Sequence, residues 1–162
     1  SIKPNSNKEK ILIEMISNPV SVVKFFLNSN AKSLEIKEGF PSNYFNCSYI
    51  FYNCEKLTSI DLSNFNFRKT KDMNHLFYDC NNLEKIVWPN DEKYSSVESI
   101  SYMFSGCIKL TSIDLSNFSF GKTKYMNYLF NDCNNLEKIV WPNDEKYSSV
   151  ESIFYMFGNC IK

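Results

Sequence analysis

The stretch LEKIVWPNDEKYSSVESI stands twice in this chain, at 83–100 and at 136–153, without a change. It belongs to a longer duplication: residues 57–109 align with 110–162 without a gap and agree at 45 of 53 positions. The eight differences fall at 66/119, 68/121, 72/125, 75/128, 78/131, 101/154, 105/158 and 106/159. Inside this unit lies a shorter period. A Phe-x-x-Cys pair recurs at Phe51 and Cys54, Phe77 and Cys80, Phe104 and Cys107, Phe130 and Cys133, and Phe157 and Cys160, so the cysteines step by 26, 27, 26 and 27 residues. A unit of that size cannot bury its own apolar side and must build a core by stacking on its neighbours.

Each unit reads in three parts. Leu57-Thr-Ser-Ile60-Asp-Leu62 has the L-x-x-L-x-L spacing of a leucine-rich repeat, with Ile60 and Leu62 inward from a short strand and Asp61 outward. Leu83, Ile86 and Trp88 repeat it, as do Leu110, Ile113 and Leu115, then Leu136, Ile139 and Trp141; a weaker copy runs from Ala31 through Leu34 to Ile36. A connector follows, Asn64–Thr70 in one type of unit and the longer Pro89–Ser96 in the other, where Pro89-Asn90-Asp91 is turn chemistry. The third part has a helical apolar spacing: Val97, Ile100, Met103, Phe104 and Cys107 fall on one helical face, Ser95 with Glu98 fits a capping box, and Asn81 and Asn134 suit left-handed helix ends. These features predict an α/β repeat, a leucine-rich-repeat solenoid of short strands and short helices, over 31–162 in about five coils. Residues 1–30 do not repeat. Ser6 with Glu9 opens a predicted helix through Ser17 and Asn18-Pro19 starts another, so this segment is expected to be an N-terminal helical cap. A linker from an upstream domain is the alternative. At Cys160-Ile-Lys162 the pattern calls for another Leu-Thr-Ser-Ile, so either more coils follow or this open end associates with another chain.

The bulk chemistry excludes several classes. Lys+Arg and Asp+Glu are both 18, which gives no footprint for nucleic acid or an anionic membrane surface. No apolar run approaches the roughly 18 residues of a spanning helix, so direct membrane insertion is not expected. Cys54, Cys80, Cys107, Cys133 and Cys160 hold one place in every unit inside an apolar pattern, and with Phe77, Phe104 and Phe130 they are expected in the structural core as free thiols. No C-x-x-C pair or other zinc spacing is present, and no metal or cofactor is expected. The single histidine, His75, has Tyr128 as its counterpart, and no nucleophile–base pair can be drawn around it. Asp61 and Asp114 hold outward strand positions rather than forming a carboxylate pair. No catalytic residue is expected, and the protein reads as no enzyme.

The run M-x-x-L-F-x-x-C-x-x-L-x-x-I resembles the BspA-like leucine-rich repeat surface proteins. It is carried by Met73, Leu76, Phe77, Cys80, Leu83 and Ile86, by Met126, Leu129, Phe130, Cys133, Leu136 and Ile139, and by the tetrapeptides Leu62–Phe65 and Leu115–Phe118. Trp88-Pro-Asn-Asp-Glu-Lys and its copy at 141–146 depart from that pattern. The resemblance implies a right-handed solenoid with short concave strands and convex short helices, a cell-surface or secreted location, and adhesion to host or neighbouring-cell proteins. A cytoplasmic location stays open, because buried thiols fit either compartment.

What remains for function is the outward strand set. Asp61, Lys85, Val87, Asp114, Lys138 and Val140 form the candidate concave binding face, with Val87 and Val140 apolar where solvent favours polar residues. The first expectation is a non-catalytic module that binds a protein partner, such as a host-surface or extracellular-matrix protein. The others are a carbohydrate-binding solenoid using Tyr94, Tyr102, Tyr147 and Tyr155, and a structural spacer.

Overall fold

A computed structural model of the chain describes residues 10–13, 32–36, 46–90, 96–143 and 147–160. Among the described residues six short strands are formed: β1 (Lys10–Ile13), β2 (Ser33–Ile36), β3 (Ser59–Asp61), β4 (Lys85–Val87), β5 (Ser112–Asp114) and β6 (Lys138–Val140). All pairings are parallel. β1 through β4 lie side by side in chain order, and β5 with β6 makes a separate pair. The register follows the repeat: Ile60 lies beside Ile86, and Ile113 beside Ile139. β4 and β5 are not paired. The break falls at a 27-residue step, and Pro89, with no N–H to donate, stands two residues beyond β4.

The predicted convex helices are not there. Among the described residues the only helical element is a single 3₁₀ turn at Phe120–Lys122. The backbone hydrogen bonds explain why. In 46–54, 72–80, 99–107 and 125–133 alternate N–H groups point at the next unit rather than up a helix, and 152–160 receives the last set. Cys47, Tyr49, Phe51 and Asn53 donate to the carbonyls of Asp72, Asn74, Leu76 and Tyr78, and the scheme recurs unit by unit to Met126, Tyr128, Phe130 and Asp132 donating to Ser152, Phe154, Met156 and Gly158, all at 2.7–3.1 Å. Single bridges Asn46–Asp72–Ser99–Tyr125–Ser152 run through the whole series. Each segment also holds two left-handed residues four apart, such as Tyr49 and Asn53 (φ 61° and 55°) or Tyr102 and Gly106 (φ 59° and 78°), which no α-helix accommodates. The left-handed position lies just before each cysteine, at Asp79 and Asp132, not at Asn81 and Asn134.

The expectation of an α/β leucine-rich-repeat solenoid with convex helices and a helical cap is therefore corrected. The described chain is mostly turns and loops joined by short parallel strands and single bridges. The proposed first helix is replaced at Lys10–Ile13 by a strand paired with Ser33–Ile36. The second proposed helix start at Asn18-Pro19, and Ser95 of the capping box, lie outside the described residues.

The core is a set of columns running from unit to unit. Phe51, Phe77, Phe104, Phe130 and Phe157 stack at centroid distances of 5.3, 5.9, 5.5 and 5.7 Å with planes within 9° of parallel. Trp88 meets Phe77, Phe104 and Phe118 edge-on. Beside them runs the thiol column. Cys80, Cys107, Cys133 and Cys160 each donate S–H to the carbonyl of the phenylalanine one unit earlier, at 3.0–3.3 Å. All six cysteines are free thiols, buried except for the half-buried Cys160.

Gly106 shows how tightly the units are set. Its φ is +78°, and a Cβ there would come 2.2 Å from Asp79 Oδ1 and 3.2 Å from Asp79 Cα. Gly106→Ala combines a left-handed alanine with this overlap. We expect it to lower the unfolding free energy by about 1–3 kcal/mol, measured by urea denaturation; a loss below about 0.5 kcal/mol, the usual scatter of surface changes, would contradict the packing described.

Candidate functional site

The strand face comes first. Ile60 and Ile113 point into the core, and their neighbours point away from it. The register places Lys85 beside Ser59 and Val87 beside Asp61, and likewise Lys138 beside Ser112 and Val140 beside Asp114. The six candidates thus form two patches, Asp61–Lys85–Val87 and Asp114–Lys138–Val140, separated by the unpaired β4/β5 junction. Both aspartates are engaged locally: Asp61 Oδ1 accepts from the Ser63 N–H and Asp114 Oδ1 from the Ser116 N–H. Lys85, Lys138 and Asp114 are exposed, Val87 is half-buried, and Val140 is 37% exposed. Pro89 and Pro142, two residues beyond Val87 and Val140, are buried.

The turn face is different in kind. The column Tyr49–His75–Tyr102–Tyr128–Tyr155 stacks ring on ring at 4.5, 4.6, 4.5 and 5.6 Å. A second pair, Tyr52–Tyr78, stacks at 5.2 Å. Every member of the main column is a left-handed residue, which turns its side chain outward while its N–H reaches the next unit in the four units that have a described successor. Tyr49, Tyr52, Tyr125, Phe154 and Tyr155 are exposed on this face. Two asparagines knit it together: Asn74 Oδ1 accepts from Ser99 Oγ and the Ser101 N–H, and Asn127 Oδ1 from Ser152 Oγ and the Phe154 N–H.

Electrostatics single out the same face. The five nine-residue turn segments contain no lysine and no arginine, whereas the whole chain has 18. Their charged residues are Asp72, Asp79 and Asp132. The Asp79 carboxyl is pushed above its ordinary value by burial, then by Asp132 and Glu55, and it accepts no hydrogen bond among the described residues. Burial likewise raises the Tyr78 and Tyr102 hydroxyls. His75, between two tyrosine rings, is pulled below its ordinary value by burial, against the pull of Asp72, and its Nδ1 has no hydrogen-bond partner. At the margins the charges pair: Lys71 with Glu98 at 2.9 Å and Lys124 with Glu151 at 3.5 Å.

The duplication adds one more observation. Six of its eight differences, 72/125, 75/128, 78/131, 101/154, 105/158 and 106/159, lie in the turn segments, and none touches the strand face. The two copies present one strand face and two distinct turn faces. The aromatic column was readable at 49, 75, 102, 128 and 155, but a helical interpretation dispersed it over a convex surface.

The rest of the chemistry is sparse. Among the described residues no group of three or more His, Cys, Asp or Glu side chains could hold a metal ion, and no helix is long and apolar enough to cross a membrane. A cavity of about 460 Å³ is lined by Met126, Trp141, Tyr147, Val150, Ile153 and Met156. Its counterparts Met73, Trp88, Val97, Ile100 and Met103 are buried in the core one super-repeat earlier, so it is a packing surface rather than a centre of chemistry. Of the sugar-binding candidates, Tyr102 has both faces covered by His75 and Tyr128, Tyr147 packs on Phe120, and Tyr155 leans on Tyr128. Tyr94 lies outside the described residues.

Residues 45–162 match the model of a protein family described as "Mycoplasma protein of unknown function, DUF285". No curated protein and no solved structure matches the chain. The match names neither a leucine-rich repeat nor an adhesive role, and with the helices absent, the expectation of an adhesive leucine-rich-repeat solenoid is corrected here.

Proposed function

The chain belongs to the family described as "Mycoplasma protein of unknown function, DUF285", and we propose that it is a non-catalytic protein-interaction module. The observation that carries this reading is the pair of repeated outer faces on a backbone bonded from unit to unit. Side chains project from that frame at fixed intervals, while the thiols that would otherwise be the nucleophiles lie buried and protonated. A frame of this kind supports recognition over an extended area, because little conformational entropy is lost when a preset surface is covered. A sugar-binding role is less well supported: stacking on a sugar needs a free ring face, and the central tyrosines spend theirs on one another.

The test is direct binding of the chain to panels of purified extracellular-matrix and cell-surface proteins and of glycans, by biolayer interferometry. Saturable binding to a protein, unchanged after enzymatic deglycosylation of that protein, is expected. Binding only to glycans, or turnover of any ligand, would overturn the proposal. In the same assay Val87→Arg with Val140→Arg reports on the strand face, where an interface loses about tenfold or more in affinity when an anchor is replaced.

A further inference from the structure

We propose that the tyrosine stripe of the turn face is the binding surface, and that its partner is an extended polypeptide segment bearing arginine or lysine side chains. This rests on the interaction-module reading above. Five observations converge on it. The stripe carries the exposed aromatics Tyr49, Tyr52 and Tyr125 and the half-buried Tyr102 and Tyr128, the residue types enriched in interface cores. It carries no lysine or arginine, although those residues are frequent elsewhere in the chain, and lysine is the residue that interfaces avoid.

Its charge is complementary to a cation. Asp72, Asp79 and Asp132 stand along the stripe with no fixed positive charge among them. Among the described residues the Asp79 carboxylate has no hydrogen-bond donor, and Asp132 has only the neutral amides of Asn131 and Asn159. Because the rings stack face to face, they turn edges and hydroxyls outward, which suits N–H donors better than apolar anchors. Planar guanidinium groups bond to carboxylate and hydroxyl oxygens together.

The stripe is also linear and stiff. Five units spaced by parallel bridges run for roughly 19 Å at about 4.8 Å per step, the reach of about six extended residues. The stacked rotamers are already ordered, so binding costs little further side-chain entropy. Finally, six of the eight differences between the duplicated copies fall on this face and none on the strand face, so the copies diverge mainly where partners of different sequence would be told apart.

The experiment uses the whole chain with fluorescent eight-residue peptides, one alternating arginine and glycine and one alternating glutamate and glycine, followed by anisotropy at about 150 mM salt, where long-range attraction is screened. The arginine peptide is expected to bind and the glutamate peptide not to. Asp79→Lys with Asp132→Lys should abolish binding. Tyr49→Ser with Tyr155→Ser, both at exposed positions, should weaken it about tenfold, while Val87→Arg with Val140→Arg should leave it within about twofold, the scatter of residues outside a hot spot. Near-ultraviolet circular dichroism confirms that each variant stays folded. Equal binding of both peptides, or binding that survives the aspartate reversal in a folded variant, overturns the inference. If the panel proteins bind through the strand face and the arginine peptide does not bind, this inference falls and the interaction module stands; if no protein binds by any face, both fall.

Discussion

Phe104→Ala is expected to lower the unfolding free energy by about 3–5 kcal/mol, the range for truncating a fully buried phenylalanine. Phe104 is fully buried between Phe77 and Phe130, with the edge of Trp88 against it. Its carbonyl accepts the Cys133 S–H and its N–H donates to Leu129. Truncation removes two ring stacks from the middle of the column and leaves a void that the units cannot close, because the same backbone bonds fix their spacing. Phe157 occupies the same place in its unit and stacks on Phe130, but is 49% exposed. Phe157→Ala is expected to cost under about 1 kcal/mol, since little buried surface is lost. The unfolding of a stacked array is governed by contacts between neighbours, so the central truncation should also separate the two halves. Tryptophan fluorescence in urea reads this through Trp88 and Trp141, each alone after the other is replaced by phenylalanine. Their midpoints should coincide in the parent chain and part in Phe104→Ala. Equal costs for Phe104→Ala and Phe157→Ala would contradict the column described.

Much of this organisation was legible in the residues, and the part that was not has a definite physical cause. The 26/27 period and the Phe-x-x-Cys spacing show which side chains recur inward, because a repeat that must stack repeats its core. The strands near Ile60, Ile86, Ile113 and Ile139 follow from alternation of inward and outward residues. What misled was the segment 97–107. Apolar spacings of 3, 3, 1 and 3 place Val97, Ile100, Met103, Phe104 and Cys107 on one side of a helix, but a chain of tight turns with a left-handed residue at every fourth position puts the same residues on one side. Nothing in the sequence marks the difference. Tyr49, His75, Tyr102, Tyr128 and Tyr155 are not residues that favour the left-handed region on their own, and their conformation is held by the bonds to the next unit. The strand face was identified from local alternation. The turn face needed the stacking of one unit on the next, which alternation within a unit does not contain.

The buried thiols make stability fall steeply with alkali. Burial pushes Cys47 from the ordinary 9.0 up to about 11 and Cys133 up to about 12, and it raises Cys80 and Cys107 well above that ordinary value. In each case the folded state holds its proton more tightly than the unfolded state. The stabilisation is therefore complete below pH 9, where both states are protonated, and it is lost as pH rises from 9 toward the folded values, where only the unfolded chain ionises. Each such thiol contributes about 1.4 kcal/mol per pH unit within that window. Because the unfolded thiols are only half ionised at pH 9, each removes about 1 kcal/mol between pH 9 and 10 and four remove about 4 kcal/mol, close to the whole stability of many domains, which is about 5–15 kcal/mol. We expect the urea midpoint to be flat from pH 7 to 8.5 and to collapse above 9.5. Replacing Cys133 by alanine lowers stability at pH 7, because it opens a small cavity and leaves the Phe104 carbonyl without its S–H donor, yet it should make the alkaline decline shallower by about one thiol's share. Every other ionisable group is present in both chains and cancels in the comparison. A decline of unchanged steepness in Cys133→Ala would mean that the buried thiols do not control it. Labelling with a thiol reagent at pH 8 gives the independent check: the half-buried Cys160 should react first, and the buried five only when the chain unfolds.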